Sequence, residues 1–183
     1  MNRKGIDLLA MDIGRRCRKC GPGGRARRLA FFLAEPQYRT LFWWRLSSNF
    51  TAPAARGIFR RFYLRSSRRS GLEINTPSLG GGLIMPHWGR IILNAESIGD
   101  DLYSLHNVTV GNDYVTGRPV LGNDVFLGAG CSVLGSVAIG DHVVVAAGSV
   151  VVDDVRSCTV VAGNPARVVR DIRPDHITRM IGY

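Results

Sequence analysis

His87 stands where a repetitive apolar pattern is interrupted. In Pro86-His87-Trp88-Gly89, between Ile84-Met85 and Ile91-Ile92-Leu93, proline and glycine permit a corner and a polar ring breaks the run. An imidazole, with a reference pKa of about 6.5, is largely neutral at cellular pH and can take the proton of a hydroxyl. A hydroxyl is a poor nucleophile at neutral pH, so a positioned base is worth roughly 10²–10⁴-fold in rate. A carboxylate on the other ring nitrogen would fix the tautomer and stabilise the imidazolium. Glu73, in Gly71-Leu72-Glu73-Ile74, precedes His87 by a little over two repeats and is the candidate for that role. His106, in Tyr103-Ser104-Leu105-His106-Asn107, competes for the base position and is read as lining the same cleft, whereas His142 and His176 read as solvated.

The element that must carry these residues has a period of six. Leu121, Leu127, Val133, Ile139, Val145 and Val151 recur without a slip, and Val125, Cys131, Val137 and Val143 hold a second register. Neither a heptad nor a 3.6-residue helix gives that spacing. An aliphatic residue at a fixed place with small residues beside it means stacked coils of short parallel strand. Upstream, Leu79, Met85 and Ile91 keep the period, and Ile98, Ser104 and Val110 resume it after a one-residue slip. The spacing breaks after Val110, so Asn112 to Pro119 is expected to bulge out as a loop. Glycine, 22 of 183 residues, is about 12% of the chain against a usual ~7%, in keeping with repeated tight turns.

Four segments follow. Residues 1–28, basic and glycine-rich around Gly21-Pro22-Gly23-Gly24, read as a loose, partly disordered tail. Residues 29–70 read as two or three amphipathic helices broken at Pro36 and near Pro53, with Leu41, Phe42 and Leu46 on one and Ile58, Phe59, Phe62 and Tyr63 on another. Residues 71–172 form the coiled β domain, and 173–183 a C-terminal tail.

The net charge of +10 divides unevenly: residues 1–70 carry 17 Lys/Arg against 3 Asp/Glu, and residues 71–183 carry 7 against 11. A basic, aromatic arm of this kind is suited to peripheral contact with an anionic membrane, and no nucleic-acid partner is expected. Cys131 and Cys158 read as core thiols; Cys17 and Cys20 form a lone CxxC with no second pair, so no metal is expected. The longest apolar stretch in the first half, Leu29 to Ala34, falls far short of the ~20 residues a membrane span needs, and no signal-peptide pattern is present, so a cytoplasmic location is expected.

The hexads, the terminal Ala162-Gly163-Asn164-Pro165-Ala166-Arg167-Val168-Val169-Arg170 and the Ile84-to-Gly89 segment resemble the hexapeptide-repeat acyltransferases over about Leu72 to Ile172. Within that group the chain looks most like the serine O-acetyltransferases, especially their short relatives that acetylate sugars in surface-polysaccharide synthesis. The resemblance implies a mainly β fold, a left-handed parallel β-helix with a short N-terminal helical segment, assembled as a homotrimer. It implies acetyl-CoA as co-substrate and a small-molecule or glycan acceptor, with His87 as general base and Glu73 as its acidic partner. The reacting groups would meet in a groove between protomers.

By resemblance to the galactoside acetyltransferases, Ala129 and Ala147 would contact the cofactor and Arg167 and Arg170 would reach its phosphates, while Asp153 replaces a lysine of those relatives. Small side chains in Leu127-Gly128-Ala129-Gly130 and Val145-Ala146-Ala147-Gly148-Ser149 would let an extended pantetheine arm lie against the backbone. A backbone N–H near Gly111 would serve the oxyanion, where one donor is typically worth ~10²–10³ in turnover. Serine acetyltransferases also carry an aspartate before the catalytic histidine and an Arg-His pair before a proline. Here Pro86 and Thr116-Gly117-Arg118-Pro119 stand instead, leaving Arg118 to pair with an acceptor carboxylate. Two other readings remain: a zinc hydratase on the same fold, built from His87, His106 and His142, and a non-catalytic binding scaffold.

Overall fold

The computed structural model describes residues 5–17 and 24–181. From Leu72 onward the chain winds into a rod with three sheets as its faces. The first face stacks β1 (Leu72–Ile74), β3 (Ile91–Leu93), β6 (Val108–Gly111), β9 (Ser132–Leu134) and β12 (Val150–Val151). The second stacks β2 (Ser78–Leu79), β4 (Ser97–Ile98), β7 (Val120–Leu121) and β10 (Ala138–Ile139). The third stacks β5 (Tyr103–Ser104), β8 (Phe126–Leu127), β11 (Val144–Val145) and β13 (Thr159–Gly163), with Ile84 bridging to Tyr103 below them. These strands are all parallel, and the architecture is the left-handed parallel β-helix that the resemblance implies. A last strand, β14 (Ala166–Asp171), turns back antiparallel on β13.

The hexad positions are the inward ones. Leu79, Ile91, Ile98, Val110, Leu121, Leu127, Val133, Ile139, Val145 and Val151 are all buried, as are the second-register Val125, Cys131, Val137 and Val143. Two-residue strands have no independent stability. Each is held by its neighbouring coils, as when Gly99 N–H donates to Leu121 O (2.9 Å) and Gly122 N–H to Ile139 O (2.8 Å). Burial in this core pushes the Cys131 thiol up to about 12. Cys158 departs from the core expectation: it is half-buried at a corner with φ 60°.

That corner, between the second and third faces, repeats a left-handed residue in every coil: Gly82, Asp101, Asp124, His142 and Cys158. Asn and Asp tolerate this conformation better than most side chains. A polar ladder runs beside it: Asp100 Oδ1 accepts Gly81 N–H (2.8 Å), Asn123 Oδ1 accepts Asp100 N–H (2.9 Å), Asp141 Oδ1 accepts Asn123 N–H (2.6 Å) and Ser157 Oγ accepts Asp141 N–H (3.0 Å).

Four helices precede the rod: α1 (Gly5–Arg16), α2 (Arg25–Ala34), α3 (Pro36–Asn49) and α4 (Pro53–Ser70). Pro36 and Pro53 open α3 and α4, where a missing N–H costs nothing, so the expected breaks fall at these prolines. Gly71, at φ 72°, ends α4 and donates its N–H to Ser67 O (2.9 Å).

Helix α1 lies where a loose tail is expected. Its anchor is polar: Asp12 is fully buried, pairs with Arg45 Nε at 3.0 Å and accepts Leu83 N–H at 3.0 Å. Arg45 also donates to Leu79 O (2.6 Å) and Gly80 O, and Arg15 donates to Gly82 O (2.9 Å) and pairs with Asp101 (2.9 Å). Burial pushes the Asp12 carboxyl up, while Arg45 and the Leu83 N–H pull it back. Cys17 is buried, its thiol facing Arg28 O at 3.6 Å; Cys20 and the Gly21-Pro22-Gly23 run lie outside the described residues. At the other end the expected tail contains α5 (His176–Ile181), whose Ile177 is buried.

Candidate active site

The corner between the third and first faces gathers four of the residues singled out above. Strand register places Ile84, Tyr103, Phe126 and Val144 in one row. Three residues further along each coil, His87, His106, Ala129 and Ala147 stack at the corner, tied by Gly130 N–H to His106 O (3.0 Å) and Gly148 N–H to Ala129 O (2.8 Å). The rings of His87 and His106 lie 6.1 Å apart at 82°. Gly89, at φ 154°, makes that approach possible: a Cβ there would sit 2.5 Å from His106 Cβ. His87 is exposed, whereas His106 is half-buried and its Nδ1 is buried without a partner among the described residues.

Up the rod the corner is lined by small residues. Added Cβ atoms at Gly130 and Gly148 would meet nothing within 4 Å, so a slender chain has room to lie there. The strip extends three coil steps of about 4.8 Å each from His87 to Ala147. Arg167, opposite Ala162 on β14, stands near its upper end and donates to Asp153 (2.8 Å), while Arg170 lies 3.3 Å from His176 Nε2. Asp153 thus occupies one of the two arginines.

Other expected partners stand apart within a single chain. Glu73 is exposed in the middle of β1, and its Oε1 accepts from Asn75 Nδ2 (2.7 Å); its hydrogen bond is with Asn75, not with His87. Gly111 ends β6 at the far edge of the first face, and Arg118 is exposed in the adjoining loop. His142 lies at a different corner from the other two histidines, 3.2 Å from Asp124 Oδ2 rather than merely solvated.

The 112–119 loop bulges out as expected and is built around one carboxylate. Asp113 accepts from the N–H groups of Thr116 (2.8 Å), Val115 (3.0 Å) and Gly117 (3.4 Å) and from the Thr116 hydroxyl (2.8 Å). These donors, Thr116 first, hold its carboxyl well below the ordinary range. Thr116 Oγ1 in turn accepts Ser136 N–H (2.8 Å), fastening the loop to the next coil.

Sequence reasoning passes over the residues that hold the corner in place. Tyr38 OH accepts Met85 N–H (2.8 Å) and Gln37 Nε2 donates to Met85 O (3.3 Å), two residues before His87. Tyr63 OH accepts Ile74 N–H (2.8 Å) and donates to Ile74 O (3.0 Å), clamping the strand that carries Glu73. Burial pushes the Tyr63 phenol up, keeping it a proton donor. The one available signal is the tyrosine within each of α3 and α4, since a buried hydroxyl needs a partner.

The family model of bacterial transferase hexapeptide (six repeats) matches residues 118–153, within the coils of the rod. Serine acetyltransferase from Helicobacter pylori (strain 26695) is 35% identical over 125 residues, 60% of this chain and 71% of that protein. Serine acetyltransferase 2 of Arabidopsis thaliana is 37% identical over 114 residues, 58% of this chain and 34% of the relative. The crystal structure of serine acetyltransferase from Brucella abortus superposes with a TM-score of 0.74 at 26% identity, covering 91% of this chain and 69% of that one. The chain belongs to the serine acetyltransferase family of hexapeptide-repeat proteins. It spans about a quarter to a third of the length of the Arabidopsis relatives it matches.

Proposed function

We propose that the chain is an acetyl-CoA-dependent O-acetyltransferase with His87 as general base. The observation that carries this reading is the single corner that stacks two histidines under a strip of small residues. CoA, which the Brucella abortus relative has been crystallised with, supplies the acetyl group as a thioester. Its pantetheine arm fits against Ala129 and Ala147, with Arg170 toward its phosphates and Arg167 joining it once it leaves Asp153.

His87 takes the proton of the acceptor hydroxyl as the oxygen attacks the thioester carbonyl. The new C–O bond forms, the C–S bond breaks, and the proton leaves with the CoA thiol. His106 lines the acceptor side. Glu73 orients His87 once its carboxylate turns from Asn75, and a backbone N–H near Gly111 serves the oxyanion.

Arg118 and Gly111 lie across the first face from His87, which supports a site shared with a second protomer, as the homotrimer implied by the family resemblance would supply. L-Serine is the first acceptor to test, as the family name indicates. Pro86 and the Thr116-to-Pro119 loop lack two groups that hold free serine in the family, which favours a sugar hydroxyl as the second reading. A cytoplasmic site of action suits either acceptor.

The test is incubation with acetyl-CoA and either L-serine or a panel of glycans, following free thiol. Thiol release that depends on one acceptor and on His87 is expected. Release that persists in His87→Ala overturns the role of the ring, and no release with any acceptor overturns the activity.

A further inference from the structure

Residues 36–70 contain eight arginines and no acidic residue. Arg45 is committed to Asp12, and the other seven are exposed and form no ion pair with a described residue. On the outer side of α4, Arg61, Arg65, Arg68 and Arg69 alternate with Ile58, Phe62 and Leu64 along one surface groove. The three apolar side chains are 55%, 47% and 42% exposed, an unusual cost for a helix that has a buried side available. Beneath them Phe62 stacks on Trp43 at 4.8 Å, and Phe59 meets Phe50, itself 42% exposed, at 4.9 Å. The apolar ridge therefore continues onto the end of α3.

We infer that this face docks on an anionic lipid bilayer. The arginines reach the headgroup phosphates, and Ile58, Phe62 and Leu64 enter the acyl boundary. Charge and apolarity together select the partner. Nucleic acid would use the arginines but leave Ile58 and Leu64 against water and phosphate. A second copy of the same face would set arginine against arginine. Among the described residues no helix is long and apolar enough to cross a membrane, so the contact is peripheral. The inner side of α4 is fastened to β1 through Tyr63, so docking sets the first coil, with Glu73 and the His87 corner, beside the lipid.

Co-sedimentation of the full chain with phosphatidylcholine vesicles, with and without phosphatidylglycerol, tests this. Binding is expected only to the anionic vesicles and is expected to weaken with salt. R61Q/R65Q/R68Q/R69Q is expected to lower partitioning by on the order of 10³-fold. I58S/L64S, which alters two exposed side chains at constant charge, is expected to lower it about tenfold, with the melting curve unchanged. Wild-type protein that ignores anionic vesicles overturns the proposal, as does unchanged partitioning in I58S/L64S. Tighter binding to duplex DNA than to vesicles overturns it in favour of nucleic acid. Thiol release with a soluble acceptor is expected to be unaffected in both variants, so loss of membrane binding and loss of acetyl transfer are read separately.

Discussion

At the scale of single residues, His87 is exposed and His106 is pressed beneath the glycine two places after it. His87→Ala is expected to lower kcat by roughly 10²–10⁴-fold with little change in the affinity for CoA, measured by thiol release and by calorimetry. Tyr38→Phe removes the acceptor of Met85 N–H inside a buried site. It is expected to cost about 1–3 kcal/mol in urea unfolding, and to lower kcat more than KM because the His87 corner loses its support. Asp113 carries the pH dependence of its loop. Its folded pKa lies below the ordinary 3.8, so its contribution is present above that value and is lost as the pH falls below it toward the folded value. The protection of the Val115 to Gly117 amides, taken relative to their intrinsic exchange rates at each pH, is expected to fall in that acid window, and in Asp113→Asn to be low at neutral pH as well.

At the scale of elements, the rod was legible because its physics is periodic. A strand two residues long survives only if the same position faces inward in every coil, and the aliphatic positions six apart, from Leu121 to Val151, are the buried ones. The loop after Val110 was legible as a break in that period. Helix α1 was not, because what fixes it is a buried ion pair rather than an apolar stripe: Asp12 and Arg15 look solvated until Arg45 and the first coil are placed beside them. The site divides in the same way. The corner position of His87 follows from a polar ring among aliphatics, and the alignment of Ala129 with Ala147 from the repeat. The Asn75 bond of Glu73 and the tyrosine clamps depend on contacts between segments far apart in the chain, which no local pattern encodes. Asp12→Ala leaves the Arg45 guanidinium buried without its counter-charge and is expected to cost about 3–5 kcal/mol in chemical denaturation. Asp12→Ala combined with Arg45→Met is expected to recover part of that loss.

At the scale of the whole molecule, helices and rod form one continuous core, in which Phe32, Tyr38, Leu41 and Trp44 pack with Leu72, Leu79 and Leu83. The helical segment therefore aligns the first coil, through Tyr38, Tyr63, Asp12 and Arg45, while its outer side remains available for a surface. The third face finishes differently from how it began. Its final strand, β14, runs against the direction of every strand below it and carries Arg167, Arg170 and Asp171. An incoming solenoid with parallel strands finds neither the right polarity nor an uncharged rim to continue the stack, so end-to-end polymerisation is blocked on this face. Ending the chain at Gly163 would leave the Thr159–Gly163 edge open, and light scattering is expected to reveal concentration-dependent filaments where the full chain stays in clear solution.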